Sequence, residues 1–169
     1  MKSVISGLLV AFSMYSAIPV PQVNWEKQTM RWALGFLPLI GVLIGAIEWF
    51  WFAFCMHFGA AGVFYAVIAA LIPLAVSGGI HLDGYSDTCD ALASHASQEK
   101  KLEILKDPHV GSFAVIRICS YFVITLALWS ALKSFPWAAV LLGFCMSRTL
   151  SGLAVASFPL AKNTGLAHT

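Results

Sequence analysis

Residues 34–56 read Leu-Gly-Phe-Leu-Pro-Leu-Ile-Gly-Val-Leu-Ile-Gly-Ala-Ile-Glu-Trp-Phe-Trp-Phe-Ala-Phe-Cys-Met, a run with a single charged side chain, Glu48. A helix needs roughly 20 apolar residues to cross the hydrocarbon of a bilayer. Inside lipid every backbone N–H and C=O must find a partner within the segment, so a run of this kind is read as a helix. Three further runs follow, at about 60–77, 113–132 and 137–157. His57, Phe58 and Gly59 leave room only for a tight hairpin between the first two, and Lys133 to Pro136 make a second short turn. Upstream, Lys2 and an apolar stretch lack a small-x-small cleavage site, and the Pro19/Pro21 pair ends the pattern. The spacing predicts an interfacial helix over 3–18.

Composition agrees with lipid as part of the solvent. Hydrophobic residues make up 59% of the chain and charged residues 11%, against about 25% charged in soluble domains. That much apolar surface exceeds what one small core can hide. The net charge of +2 gives no reason to expect nucleic acid as a partner. Cys55, Cys89, Cys119 and Cys145 form no CxxC pair and read as reduced structural residues. The expected fold is therefore all-α: a single polytopic integral membrane helix bundle over 1–169, with the lipid bilayer as its partner.

Between the second and third runs the sequence changes character. Residues 78–111 hold six of the eight acidic side chains, Asp83, Asp87, Asp90, Glu99, Glu103 and Asp107, together with Lys100, Lys101 and Lys106. With four spans, Lys27, Arg31, Lys100, Lys101, Lys106 and Lys162 share one side and Lys133 takes the other. The bias of Lys and Arg toward cytoplasmic loops then puts the acidic helix and loop at the cytoplasmic face of the cell's inner membrane.

Asp83, Asp87 and Asp90 stand at i, i+4 and i+7. On a helix these fall within roughly 60° of arc. Three carboxylates on one stripe repel one another unless a cation sits among them. Mg²⁺ prefers hard oxygen ligands and shares its shell with substrate phosphates, so it is the expected cofactor. A solvated acidic helix start is the blander alternative, but charge beside hydrocarbon is costly and tends to be functional. In Lys106-Asp107-Pro108-His109-Val110-Gly111, Asp107 is the candidate to complete a metal shell, and Lys106 and His109 are candidates for phosphate. Arg117 and Arg148 lie inside apolar runs, where a guanidinium needs an anion. A substrate phosphate would serve, and Glu48 is the candidate acidic partner. Gly84 leaves space for a phosphate or a second helix.

The stretch Gly78 to Leu92, GGIHLDGYSDTCDAL, followed by KLEILKDPHVGSF, resembles the cobalamin synthase family, the adenosylcobinamide-GDP ribazoletransferases. An N-terminal stretch ending in IPVP, then FLPLIGVLIGAI, the Ser147-Arg148 pair and AKNTGL at 161–166 fit in the same order. The resemblance implies a helical membrane enzyme. It would transfer the adenosylcobinamide phosphate moiety of adenosylcobinamide-GDP to α-ribazole or its 5'-phosphate, releasing GMP in the last steps of cobalamin assembly. Asp83, Asp87 and Asp90 would then be catalytic metal ligands, one of them also taking a proton, and Lys106 and Arg117 would steady phosphate oxygens. The resemblance leaves a homo-oligomer open.

The sequence departs from the family in two ways. The family loop usually reads KDSRxG, and His109 here replaces its Arg, which weakens a phosphate contact or makes it depend on pH. Members also usually continue with further membrane helices and another acidic motif, so this chain is expected to be shorter than full family length. Two other readings use the same aspartates. A CDP-alcohol phosphotransferase-like enzyme would release CMP, but Tyr85-Ser86-Asp87 does not continue its pattern. A cation-binding transporter subunit would release no nucleotide.

Overall fold

The computed structural model describes residues 2–21, 23, 27–60 and 62–158. Among them the chain is entirely helical: α1 (Lys2–Tyr15), α2 (Lys27–Phe58), α3 (Val63–Ser77), α4 (Ile80–Ala93), α5 (Gln98–Ile104), α6 (Ser112–Ala131) and α7 (Trp137–Ser157). Residues 161–166, with Lys162, lie outside the described residues, so their part in the resemblance and in the charge asymmetry has no structural counterpart.

Among the described residues three helices are long and apolar enough to cross a membrane: Trp32–Phe58 within α2, Ser112–Ala131 and Trp137–Ser157. The expected run at 60–77 behaves differently. Its helix, α3, has 15 residues, or about 22 Å at 1.5 Å per residue, short of the ~30 Å of hydrocarbon. It passes as a span only together with α4, and the two are bent by 95°. The cause is local. Gly78 and Gly79 take φ of 64° and 83°, two successive left-handed residues that most side chains avoid. The Gly79 N–H donates to the Leu74 carbonyl at 3.2 Å and closes α3, and Gly79 is also the N-cap of α4. The chain is thus a polytopic helical membrane protein with one broken helix pair.

The helices fall into two compact units, residues 1–54 with 134–169, and residues 55–133. In the first, α1 rests on the start of α2. Val10, Ala11 and Ala33 form a buried cluster with Met14, Met30 and Phe36 against it. Farther along, α2 and α7 approach closely at glycines, as helices in lipid do where small residues let backbones meet. A Cβ at Gly41 would overlap the Phe144 carbonyl oxygen, and one at Gly45 would lie 2.9 Å from Leu141 Cδ1. At the far end the rings of Phe52 and Phe135 lie 5.1 Å apart.

In the second unit α3 and α4 both pack on α6. The face of α3 that is buried carries Ala66, Ala69 and Ala70, small enough for close packing, and Tyr65 meets Trp129 edge to face at 5.9 Å. Most of α6 stays open: Val123 is 67% exposed and Leu128 66%. Such side chains on a spanning helix suit lipid and would be a liability in water.

Candidate active site on the aspartate helix

Helix α4 carries the three aspartates, and their environments differ. Asp83 is exposed and Asp87 half-buried, and neither carboxylate has a hydrogen-bond partner among the described residues. One turn apart on one face, they form an open pair of anionic acceptors. Asp90, one further turn along, is engaged. Its Oδ2 accepts the Gly111 N–H at 2.7 Å and its Oδ1 accepts the Ala114 N–H at 2.9 Å. Beside Asp83, a Cβ at Gly84 would meet nothing within 4 Å, so the space expected there is open.

The loop before α6 has its own arrangement. Asp107 Oδ1 accepts the His109 N–H at 2.9 Å and lies 2.6 Å from His109 Nδ1. These bonds, the backbone one foremost, hold the Asp107 carboxyl below the usual carboxylate range. Asp107 and His109 therefore engage each other within the loop, and a charged His109 would face a carboxylate before any phosphate. Lys106 closes the short turn after α5 through its N–H to the Glu103 carbonyl at 2.9 Å, with its side chain exposed. On α5 itself Lys100 pairs with Glu103 at 2.6 Å, both well exposed, a contact of little weight in water. Among the described residues no group of three or more His, Cys, Asp or Glu side chains is arranged to hold a metal ion.

The two arginines part company. Arg117, on the second turn of α6, is exposed and lies near Tyr85 of α4. Arg148 belongs to the other unit, is buried, and its Nη1 donates to Ser147 Oγ at 3.3 Å. The pairing of Glu48 with Arg148, one of the two expected from the sequence, is not formed: Glu48 is fully buried and neither carboxyl oxygen has a hydrogen-bond partner among the described residues. The antiparallel packing of α2 on α7 explains why it does not meet Arg148. Gly41 faces Phe144 and Gly45 faces Leu141, so moving up α2 toward Glu48 moves down α7, away from Arg148.

Fold and site define a multi-pass α-helical membrane protein with a short acidic helix, α4, hydrogen-bonded to the start of α6. The chain belongs to the cobalamin-5-phosphate synthase family, whose sequence profile matches residues 7–169. It is 44% identical over 165 residues to an adenosylcobinamide-GDP ribazoletransferase of Lachnoclostridium phytofermentans, covering 98% of this chain and 63% of that one. The protein of the same name from Halalkalibacterium halodurans is 34% identical over 152 residues, 86% of this chain and 58% of its own. The one from Fusobacterium nucleatum is 28% identical over 174 residues, 96% and 62%. The chain spans about six-tenths of the length of these relatives. No solved structure matches it.

Proposed function

We propose that this chain serves the transfer of the adenosylcobinamide phosphate moiety from adenosylcobinamide-GDP to α-ribazole, or to α-ribazole 5'-phosphate. The observation that carries the reading is the open pair Asp83 and Asp87, on a helix within the Gly78 to Leu92 stretch that resembles the family. The ribose 3'-hydroxyl attacks the cobinamide-side phosphorus, the bond to the GMP oxygen breaks, and the hydroxyl proton passes to a carboxylate. Because the transferring phosphoryl group needs positioning and charge neutralisation more than covalent help, a small set of charged groups suffices.

Two unpartnered carboxylates one helical turn apart fit Mg²⁺, which is commonly held by one or two carboxylates with substrate phosphates completing its shell. Asp83 and Asp87 would hold it, and it would supply neutralisation of the diphosphate charge. Asp107 already serves His109, so its contribution to a metal shell would come only after that contact opens. Lys106 and Arg117, both exposed, would meet phosphate oxygens, and His109 would do so once released from Asp107. Complementation tests the reading. A bacterial strain lacking its own ribazoletransferase, grown where it depends on supplied cobinamide, should recover growth with the gene encoding this chain. It should not recover with Asp83→Asn and Asp87→Asn together. Equal growth with both genes would remove these residues from the reaction.

We also propose that α4, α5 and the loop to Gly111 face the cytoplasm, where a nucleotide-activated substrate would be. The support is the Lys and Arg asymmetry with the bent α3–α4 pair taken as one crossing, which sets Lys133 against Lys27, Arg31, Lys100, Lys101 and Lys106. With the native cysteines replaced, Ser97→Cys should resist an impermeant thiol reagent on intact cells and react in inverted vesicles. Ready labelling of intact cells would reverse the topology.

A further inference from the structure

The start of α6 has no local cap. Its N-cap residue is Gly111, which offers no side chain to the amide groups of the first turn, and those groups require acceptors. The acceptors come from another helix, since both oxygens of Asp90 on α4 take the N–H groups of Gly111 and Ala114. A Cβ on Gly111 would lie 2.6 Å from Asp90 Oδ1 and 2.7 Å from Oδ2. Glycine at the N-cap is what allows the carboxylate so close. Ala114, whose amide it also accepts, is fully buried. A carboxylate at a helix N-terminus is favoured twice, by charge-assisted hydrogen bonds and by the helix dipole.

We propose that Asp90 is a positioning residue: it clasps α4 to the start of α6, sets where Asp83 and Asp87 stand relative to the Lys106–His109 loop, and is not a metal ligand. The two open aspartates lie one and two turns before Asp90 on the same helix. The loop that ends at Gly111 lies on the other side of the clasp. One pair of hydrogen bonds therefore fixes both halves of the proposed site. A cation drawn to Asp90 would have to share the carboxylate with two amides and sit against the positive end of α6, which opposes it.

Only the activity consequence rests on the transferase reading, and the clasp can be judged without turnover. Asp90→Asn, Gly111→Ala and Asp87→Asn should be prepared in the protein as its gene encodes it, in lipid nanodiscs. Mn²⁺ affinity is read by electron paramagnetic resonance, and amide exchange at Gly111 to Ala114 by mass spectrometry. Asp87→Asn should weaken Mn²⁺ roughly 10- to 100-fold, as loss of an ion-orienting group does. Asp90→Asn and Gly111→Ala should leave Mn²⁺ affinity unchanged. Both should speed exchange at the start of α6 by at least about tenfold, the scale for losing a hydrogen bond to a charged group. Both should lower kcat for GMP release with no change in the Mg²⁺ requirement, and the double variant should be no worse than the more severe single one, since they break one contact. Gly111→Ala removes no carboxylate, so it carries the comparison if Asp90→Asn fails to fold. Loss of Mn²⁺ in Asp90→Asn to the extent seen in Asp87→Asn, or unchanged exchange in both clasp variants, would overturn the proposal. If the unaltered protein released no GMP, the transferase reading would fall, and the Mn²⁺ and exchange measurements would still decide the clasp.

Discussion

Asp87→Asn is expected to slow GMP release roughly 10²- to 10³-fold, the usual cost of deleting one group that stabilises charge in a transition state. The substitution is close to isosteric and removes one negative charge. Among the described residues Asp87 makes no hydrogen bond that the change could break, so the loss would report on the reaction rather than on stability. Asp83→Asn, with an exposed and equally unpartnered carboxylate, should behave alike. The measurement is the initial rate of GMP release in proteoliposomes with saturating Mg²⁺, alongside circular dichroism to verify the helices. Turnover within a factor of two or so of the unaltered protein, a difference too small for a lost charge-stabilising group, would remove Asp87 from the proposed site.

Glu48→Leu should stabilise the protein by about 1–3 kcal/mol, the cost of a buried polar group left without partners. Glu48 lies inside a spanning segment, fully buried, with neither oxygen hydrogen-bonded among the described residues. Leu fills a similar volume and needs no hydrogen bond. A gain of this size corresponds to a rise in Tm of several degrees for a chain of this length. Thermal unfolding in detergent, followed by helix signal, measures it. A fall in Tm would show that the carboxyl is satisfied in the working protein. Glu48→Gln supplies the control, since it keeps the polarity and should gain far less.

The spans could be read from the sequence because hydropathy over about 20 residues is a property of each segment alone. The stripe of Asp83, Asp87 and Asp90 was legible for the same reason, as helical periodicity needs only local spacing. The hydrogen bonds of Asp90 are not. The partners that occupy it, Gly111 and Ala114, are 21 and 24 residues away, and spacing within α4 treats all three aspartates as equals. One signal was available: a glycine at the N-cap of a helix without a capping side chain implies an acceptor brought from elsewhere. The break at Gly78 and Gly79 carried a similar signal, two adjacent residues suited to left-handed backbone, and it turns the expected second span into a bent pair. Composition alone offers Asp107 to a metal and His109 to a phosphate, and does not display the contact between them. Their separation by one proline favours the tight loop in which they bind each other. Charge alone pairs Glu48 with an arginine, and the helix register, which sequence does not display, separates it from Arg148.

Release of GMP by the purified protein, reconstituted in proteoliposomes and supplied with adenosylcobinamide-GDP, α-ribazole and Mg²⁺, tests the account at its centre. The account predicts GMP and the joined corrinoid product in equal amounts, loss of both when Mg²⁺ is chelated, and recovery when it is restored. It also predicts neither product from the Asp83→Asn, Asp87→Asn double variant under the same conditions. Product formation that survives chelation or the double substitution would contradict it, as would the absence of GMP from the unaltered, correctly folded protein.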